Sequence, residues 1–324
     1  MATYYDIFGQ KVEYLSSDPS PVAEGQVWYN SASNTAKVRT YNAAGTWASS
    51  PSLNAGKQSG GAAGTTTAGL AFGSSQPAQY RGSESYNGST WTATNAMSQD
   101  GDYANGFGTQ TAAVAGGDGG PVGANSTSLF NGTCWTAGNP LTQYSYASVG
   151  LGIQTAGMLA GAYDGVGHGT ANYVQLFNGT CWSNSPNDLN TARYNALGSA
   201  GTQTAAIVFG GNPGNLTATE EYNGGAWTSV NGLSTGSSAG SGGGTQASAL
   251  AFGGGGGPGA VTQLWDGTCW SANPNAMPTA KAEMNNVMGT ATANLSIGGT
   301  GGPGNSTVFE YTGPGATTQT ITVT

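Results

Sequence analysis

The chain has 324 residues and a formal net charge of −8, from 15 acidic and 7 basic residues, and it contains a single histidine. So few Lys and Arg residues exclude a basic stripe that could neutralise phosphates, which argues against nucleic-acid binding and against docking to anionic membranes. Low charge combined with 57 glycines and many Thr, Ala and aromatic residues is typical of an all-β protein with tight turns, not of a disordered chain.

The N-terminal 50 residues contain short runs with strand character. The first residues, MATYYDIFGQKVEYL, lack a basic region followed by an apolar one, and no later stretch reaches about eighteen apolar residues. We therefore expect neither a secretion signal nor membrane insertion. Strands are predicted at Gln26 to Asn30, Lys37 to Asn42 and Thr46 to Ser49.

From residue 51 onward the sequence repeats itself. Each repeat opens on an apolar anchor, and successive anchors are 44, 44, 48, 44 and 44 residues apart. The anchors are Leu53, Met97, Leu141, Leu189, Leu233 and Met277. A self-similar period of this length indicates six copies of one structural unit.

Each repeat is predicted to contain four antiparallel strands. In the fourth repeat these are YNALGSAGT, QTAAIVFGG, TATEEYNG and AWTSV. Asn-Gly or Asp-Gly between the third and fourth strands predicts a type I′ hairpin turn. No apolar stripe with a helical period appears. A four-stranded sheet of about 45 residues cannot bury both faces alone, so radial stacking into a β-propeller is the predicted architecture.

A tryptophan recurs at the start of the fourth strand, preceded by Thr, Cys or Ala. The tryptophans are Trp47, Trp91, Trp135, Trp182, Trp227 and Trp270, and the sixth repeat, EYTGPGATT, has none of its own. We interpret them as core anchors between sheets. The cysteines in the preceding slot (Cys134, Cys181 and Cys269) are expected to be small buried side chains of the scaffold, too far apart for disulfides.

An apolar strand ending in Gly-Gly, then an aromatic residue, a turn and a Trp, as in IVFGG followed by EEYNGGAW, resembles the kelch repeat. The resemblance covers about residues 53 to 324 and implies propeller blades of four strands. It carries little information about function, because propellers support unrelated activities.

The segment DPSPVAEGQVWYNSASNTAKVRTYNAAGTW resembles a "GQ-aromatic-Tyr-Asn … Lys-Val … Tyr … Trp" segment of tailed-phage structural proteins such as tail fibres. The residue pattern of the repeats is also similar to that of repeat proteins from marine and cyanobacterial phages. Residues 1–50 form either a seventh, atypical blade or a β-extension that docks a six-bladed ring to a partner. We favour seven blades because Trp47 falls 44 residues before Trp91, although the missing Gly-Gly weakens that assignment.

Candidate recognition residues lie in the variable loops after each Gly-Gly, and they are Tyr80, Arg81, Tyr163, His168 and Tyr173. Asp100 and Asp102, with Asp118, are weak Ca²⁺ candidates that we interpret as a solvated loop. Glu220 and Glu221 are neighbours on a strand and point to opposite faces, so they cannot flank one glycosidic bond. No set of acid, base and nucleophile is expected to converge, and neither a cofactor nor a metal is predicted.

The phage resemblance implies a non-enzymatic virion structural protein, made in the host cytoplasm. Its propeller loops would contact other proteins or the host surface. Expected partners are other virion proteins, further copies of the chain in a symmetric assembly, and a host-surface glycan. A glycan-binding propeller lectin is the alternative, and repeated exposed aromatic residues at equivalent loop positions would favour it. The predicted organisation is an N-terminal segment, 1–50, followed by six repeats over 51–324.

Overall fold

The computed structural model describes residues 12–20, 22, 25–42, 44–76, 80–118, 125–163, 169–255, 259–284, 288–300 and 306–321. Those residues form strands and turns, and they include no helix long and apolar enough to cross a membrane. The chain divides into two units. Unit 1 comprises Met1–Thr46 with Gly313–Thr324, and unit 2 comprises Trp47–Thr312.

Unit 1 contains a four-stranded sheet with the order β1-β2-β3-β27. Its strands are β1 (Glu13–Leu15), β2 (Val27–Asn30), β3 (Thr35–Asn42) and β27 (Gly315–Ile321). The Asp18 carboxylate accepts hydrogen bonds from Lys37 Nζ at 2.7 Å, Asn30 Nδ2 at 2.7 Å and Trp28 Nε1 at 3.0 Å. These donors, Lys37 foremost, lower the pKa of Asp18 to about 2.

Unit 2 contains six sheets, numbered here in the order of their inner strands. Sheet 1 is β5 (Gly61–Thr65), β6 (Ala68–Ser74), β7 (Tyr80–Tyr86) and β8 (Trp91–Thr94); sheet 2 is β9 (Asn105–Thr109), β10 (Ala112–Asp118), β11 (Ser126–Phe130) and β12 (Trp135–Ala137); sheet 3 is β13 (Val149–Ile153), β14 (Ala156–Tyr163), β15 (Thr170–Phe177) and β16 (Trp182–Asn184). Sheet 4 is β17 (Gly198–Thr202), β18 (Ala205–Phe209), β19 (Thr219–Tyr222) and β20 (Trp227–Val230); sheet 5 is β21 (Ser241–Thr245), β22 (Ser248–Phe252), β23 (Thr262–Trp265) and β24 (Trp270–Ala272); sheet 6 is β25 (Ala293–Ile297), β26 (Val308–Thr312) and β4 (Thr46–Ser50).

The predicted all-β propeller class is confirmed, and the described residues form seven sheets, of which six have four strands and sheet 6 has three. The first strands of sheets 1 to 5 contact one another in succession, and β25 contacts both β21 and β5. The six sheets of unit 2 therefore form a closed ring among themselves. The seventh sheet is the one in unit 1, which gives the predicted number of seven.

Trp47 belongs to sheet 6. Its strand β4 is the outer strand beside β26, in the place where the sixth repeat lacks a tryptophan of its own. Trp47 packs edge-on against Phe252 of sheet 5, with ring centroids 4.9 Å apart, and its Nε1 donates to Thr262 Oγ1 at 2.9 Å. The chain thus closes the ring by pairing β4, which precedes the first repeat, with a strand of the last repeat. The regular spacing between Trp47 and Trp91 in the sequence results from this pairing.

Hydrophobic side chains are buried between neighbouring sheets. The described residues contain six such clusters, one at each junction of the ring, and five of the six repeated tryptophans are buried in them. Trp91, Trp135, Trp182, Trp227 and Trp270 are each 6 or 7% exposed. The apolar area is therefore divided among the junctions, which suits sheets that bury both faces.

Most of the repeated indole N–H groups donate to a hydroxyl on the preceding sheet. Trp135, Trp182, Trp270 and Trp47 donate to Ser83, Thr127, Thr219 and Thr262 respectively, at 2.9 to 3.0 Å. For Trp227 on sheet 4, the position of this hydroxyl on the preceding sheet 3 is occupied by Val174. The indole nitrogen of Trp227 therefore has no hydrogen-bond partner among the described residues.

The glutamine of the repeated TQT-like string joins neighbouring sheets. Gln110, for example, lies in the first hairpin of sheet 2, and its Nε2 donates to the carbonyl oxygens of Gly69 and Tyr86 on sheet 1. Gln154, Gln203 and Gln246 make the equivalent pair of bonds at the next three junctions. Thr66 and Ala291 replace the glutamine at the two junctions that involve sheet 6.

The turns between the third and fourth strands differ from the predicted type I′ turns. Gly88 has φ 90°, but Asn87 is not among the residues with positive φ, so the type I′ prediction is wrong. Instead the Asn87 side chain accepts hydrogen bonds from the backbone N–H groups of Ser89 and Thr90 within a four-residue loop. The Asn-Gly-Thr strings at 131 and 178 adopt the same side-chain turn.

The expected burial of the cysteines is also wrong. Cys181 and Cys269 are exposed and Cys134 is half-buried, and all three are free thiols. The physical reason is the longer turn. The residue before each Trp is the last of the four loop residues and not part of the strand, so the alternation of side chains across the sheet does not reach it.

Candidate functional site

A ring of residues in the left-handed conformation surrounds one end of the axis of unit 2. Each lies just before an inner strand or, in sheet 6, in the segment that precedes β25, and each is a residue other than glycine with φ between 43° and 54°. These residues are Ser59, Tyr103, Ala147, Asn195, Ala239 and Glu283. Positive φ is uncommon for residues with a Cβ, so six equivalent examples mark a local geometry imposed by the ring.

Backbone hydrogen bonds run from one residue of this ring to the next. Asn195 N donates to Ala147 O at 2.7 Å, Ala239 N donates to Asn195 O at 2.9 Å, and Glu283 N donates to Ala239 O at 2.6 Å. Ser59 N donates to Glu283 O at 2.7 Å, which joins the last repeat to the first. The N–H groups of these four residues are therefore occupied within the protein.

A small cavity of about 30 Å³ lies inside this ring, which we call the mouth cavity. Such a volume holds about two water molecules. Its lining includes Ser59, Tyr103, Ser148, Asn195 and Glu283, and alanines and glycines that precede the inner strands make up most of the rest. A second cavity, of about 130 Å³, lies at the other end of the inner strands and is lined almost entirely by glycine backbone and apolar residues.

Four half-buried tyrosines, which we call the tyrosine row, lie beside the mouth cavity. The ring centroids of Tyr103 and Tyr146 are 4.7 Å apart, those of Tyr146 and Tyr163 are 6.4 Å apart, and those of Tyr163 and Tyr194 are 5.2 Å apart. Sheets 2, 3 and 4 supply them, and Tyr146 and Tyr194 occupy equivalent positions, each one residue before the left-handed residue. The row offers aromatic faces and hydroxyl groups on the same surface.

Carboxylates make the potential at the mouth cavity negative. Burial raises the pKa of Tyr103, and the negative charges of Glu283 and Asp102 raise it further. The pKa of Tyr146 rises for the same reasons, burial first. The pKa of Asp102 is raised by burial and by Asp100. Both phenols therefore remain protonated hydrogen-bond donors over the ordinary pH range.

The residues predicted for loop recognition have different environments. Tyr163 is part of the tyrosine row. Tyr80 lies beneath Lys57 Nζ, 4.6 Å from the ring centroid. Arg81 Nη2 pairs with Asp100 Oδ1 at 2.5 Å. The Tyr173 hydroxyl donates to the carbonyl oxygen of Tyr144, and His168 lies outside the described residues.

Tyr103, Tyr146 and Tyr194 were missed by the sequence analysis, which considered only the loops after Gly-Gly. A signal was present, since DYANGFG, SYASVGLG and RYNALGS place a tyrosine shortly before the inner strand in three consecutive repeats.

Several carboxylates considered for chemistry are used structurally. Glu220 pairs with Arg193 at 2.6 Å with both side chains fully buried, whereas Glu221 on the same strand is half-buried. Glu84 pairs with Lys57 at 3.4 Å in the equivalent place on sheet 1. Within the described residues, no group of three or more His, Cys, Asp or Glu side chains could hold a metal ion.

Comparisons with known proteins bear on the fold alone. Neither a protein-family model nor a curated protein matches the sequence. Among solved structures, the one titled "Structure of YjhT" is similar with a TM-score of 0.64 at 14% identity, over 83% of this chain and 99% of that one. YjhT has a β-propeller-like fold. The comparison therefore supports a β-propeller, an architecture that fits a binding or protein-interaction role.

Proposed function

We propose that this protein is a non-enzymatic structural component of a tailed-phage particle, built as a kelch-like propeller whose mouth face contacts a protein or the host surface. The observation that carries the proposal is the tyrosine row beside the mouth cavity. Tyrosine provides large rigid contact area with a polar end, which is why it is enriched at binding surfaces. The phage setting rests on the resemblance of residues 18–47 to tailed-phage structural proteins.

The loops around this face support recognition rather than catalysis. The second strands of sheets 1 to 5 end on the same side as the tyrosine row, and the sequences that follow them differ from repeat to repeat. A rigid scaffold that presents variable loops is a common arrangement for binding. Glu84 and Glu220 form ion pairs with the buried side chains of Lys57 and Arg193. They are therefore not available as a catalytic acid or base.

Unit 1 is proposed as the part that attaches to another virion protein or to a further copy of the chain. Three of the four large hydrophobic side chains exposed among the described residues belong to it, namely Val12, Tyr14 and Ile321. Tyr14 is 75% exposed and stacks on Tyr29, with ring centroids 5.0 Å apart. Exposed aromatic and aliphatic groups in a unit of this size favour contact with a partner.

A glycan-binding lectin is the second candidate. Tyr146 and Tyr194 occupy equivalent positions on neighbouring sheets, and tyrosine faces suit stacking on sugar rings. The equivalent positions on other sheets carry Gln58, Asp102, Ser238 and Ala282, so a sugar site of this kind would be confined to sheets 3 and 4.

The test compares binding of the purified protein to host cells and to phage particles assembled without it. Tyr146→Ala with Tyr194→Ala should abolish binding to cells, while Ile153→Ala, an exposed residue at the opposite end of the inner strands, should leave it unchanged. Val12→Ser with Tyr14→Ser should instead reduce incorporation into particles.

If the tyrosine variant binds cells as well as the unchanged protein does, the mouth face is not the recognition surface. If glycosidase treatment of the cells removes binding, the lectin candidate replaces protein recognition. If the protein neither enters particles nor binds cells, the phage assignment fails.

A further inference from the structure

The mouth cavity has a lining in which most backbone groups of the ring are already bonded and one buried hydroxyl is not. The backbone N–H groups of Ser59, Asn195, Ala239 and Glu283 are already bonded to neighbouring carbonyl oxygens around the ring. Ser148, which lines the cavity and is 3% exposed, has an Oγ atom without a partner among the described residues. A group that occupies the cavity can therefore donate a hydrogen bond to Ser148 Oγ and satisfy it.

The charge of the cavity favours a cation. Glu283 is the ionisable acid in its lining, and none of the lining residues identified in the described chain is Lys, Arg or His. The Gln58 side chain donates to Glu283 and leaves the carboxylate charge in place. Asp102, with Oδ1 buried and unpartnered among the described residues, adds a second negative charge nearby. The cations on neighbouring segments are bonded elsewhere. Arg81 pairs with Asp100, Lys57 with Glu84 and Arg193 with Glu220, and Lys281 donates to backbone carbonyl oxygens.

The size and ligand set of the cavity select the kind of cation. A divalent metal needs several carboxylate or carbonyl oxygens, and the described residues contain no suitable cluster of acids. A volume of about 30 Å³ accommodates an –NH₃⁺ group, which is the size of a water molecule, but not a trimethylammonium group. Tyr103 adds an aromatic ring to the lining, and cations are attracted to the faces of such rings.

We propose that the mouth cavity is a binding site for a primary ammonium group, held by Glu283 and Ser148 beside the face of Tyr103. This rests on the proposed function, because it names the chemistry that the recognition face selects. The ammonium group belongs either to a small free amine or to a lysine side chain of a bound protein. In both cases it donates to the Ser148 hydroxyl, which has no other partner among the described residues.

The experiment is an NMR titration of the purified protein with methylammonium chloride, at ionic strength held constant with NaCl. The amide signals of Ser148 and Glu283 should shift and saturate. Tetramethylammonium chloride, which carries the same charge, should produce no saturable shift because it is too large. Glu283→Gln should weaken methylammonium binding by about tenfold or more, since a charge-assisted hydrogen bond is lost.

Two further variants separate binding from folding. Glu310→Gln removes one charge from strand β26 outside the cavity lining, and it should leave the affinity for methylammonium unchanged. Ser148→Ala keeps the charge and should weaken binding by about threefold or more. Nα-acetyl-lysine methylamide, which carries its ammonium on a four-carbon stem, distinguishes the two sources. Tighter binding than that of methylammonium identifies a lysine side chain, and equal binding identifies a small amine.

The proposal is overturned if methylammonium gives no saturable shift, if tetramethylammonium binds equally well, or if Glu283→Gln binds methylammonium as tightly as the unchanged protein. These outcomes are independent of the cell-binding assay with the tyrosine variants. The recognition face can therefore stand while the ammonium site fails.

Discussion

The unpartnered indole of Trp227 predicts a stabilising substitution. At four other junctions the equivalent indole N–H donates to a Ser or Thr hydroxyl on the preceding sheet, whereas sheet 3 carries Val174, which is fully buried. Val174→Thr replaces one methyl group by a hydroxyl at that position. A buried donor without a partner costs about 1–3 kcal/mol, and a hydrogen bond contributes about 1 kcal/mol net. We expect the free energy of unfolding to rise by about 1 kcal/mol after the loss of the methyl group is included.

The assay is denaturant unfolding followed by tryptophan fluorescence and by circular dichroism. Val149→Thr, at a buried position in the same hydrophobic cluster, is the matched control and should lower stability, because its hydroxyl gains no indole partner. The gain from Val174→Thr should disappear in a Trp227→Phe background, which has no N–H to satisfy. Destabilisation by Val174→Thr equal to that of the control would refute the assignment.

Three further predictions concern the sheet junctions, a buried cation and the thiols. Gln203→Ala should lower the free energy of unfolding by about 1–3 kcal/mol, because the carbonyl oxygens of Gly157 and Phe177 lose their donor, and Thr204→Ala in the same hairpin should change it little. Lys281 is 1% exposed and donates to the carbonyl oxygens of Gly298 and Thr307, and burial lowers its pKa from 10.5 to about 8. The unfolded chain therefore binds one proton more between about pH 8 and 10.5, so stability should rise with pH across that window. Lys281→Met should reduce the slope by about 1.4 kcal/mol per pH unit, as measured by unfolding at several pH values. In the folded protein Cys269 should react with iodoacetamide more slowly than Cys181 near neutral pH, because the Asp266 carboxylate raises the pKa of the Cys269 thiol, and Asp266→Asn should remove the difference in a mass-spectrometric time course.

The architecture could be predicted from the sequence because the chain repeats one structural unit at a regular spacing. Six evenly spaced anchors and the alternation of apolar strands with turn residues determine the number and kind of sheets, whatever the side chains do elsewhere. The spacing of Trp47 from Trp91 was visible in the sequence, but it was compatible with two structures. The same spacing fits a blade of its own or the missing strand of the sixth repeat, and only the pairing of β4 with β26 decides between them.

The candidate site could be predicted only in part. Tyr163 ends strand β14 beside a variable loop and was found for that reason. Tyr103 and Tyr194 belong to the neighbouring sheets and join the row only when the sheets are stacked. The ring of left-handed residues carries no sequence signature, since Ser, Tyr, Ala, Asn and Glu occupy equivalent places. The cysteines were misjudged because strand alternation was extended into a loop of four residues where a two-residue turn had been predicted.

The pairing of β4 with sheet 6 gives the chain a fixed order of assembly. Sheets 1 to 5 are each made from consecutive residues and can form one after another as the chain leaves the ribosome, whereas β4 is synthesised before all of them and its partner strand β26 after all of them. The contact between Trp47 and Thr262 spans 215 residues, and the one between Gln58 and Glu283 spans 225, so closing the ring carries the largest loop-closure cost in the domain. Until β4 pairs with β26, the nascent protein is an open arc whose two end sheets each expose a face. During that time the unpaired edge of β26 can instead pair with β4 of a second nascent chain. Synthesis of many copies at once therefore favours exchange of β4 between chains, which would yield linked rings from the same contacts that close a single one.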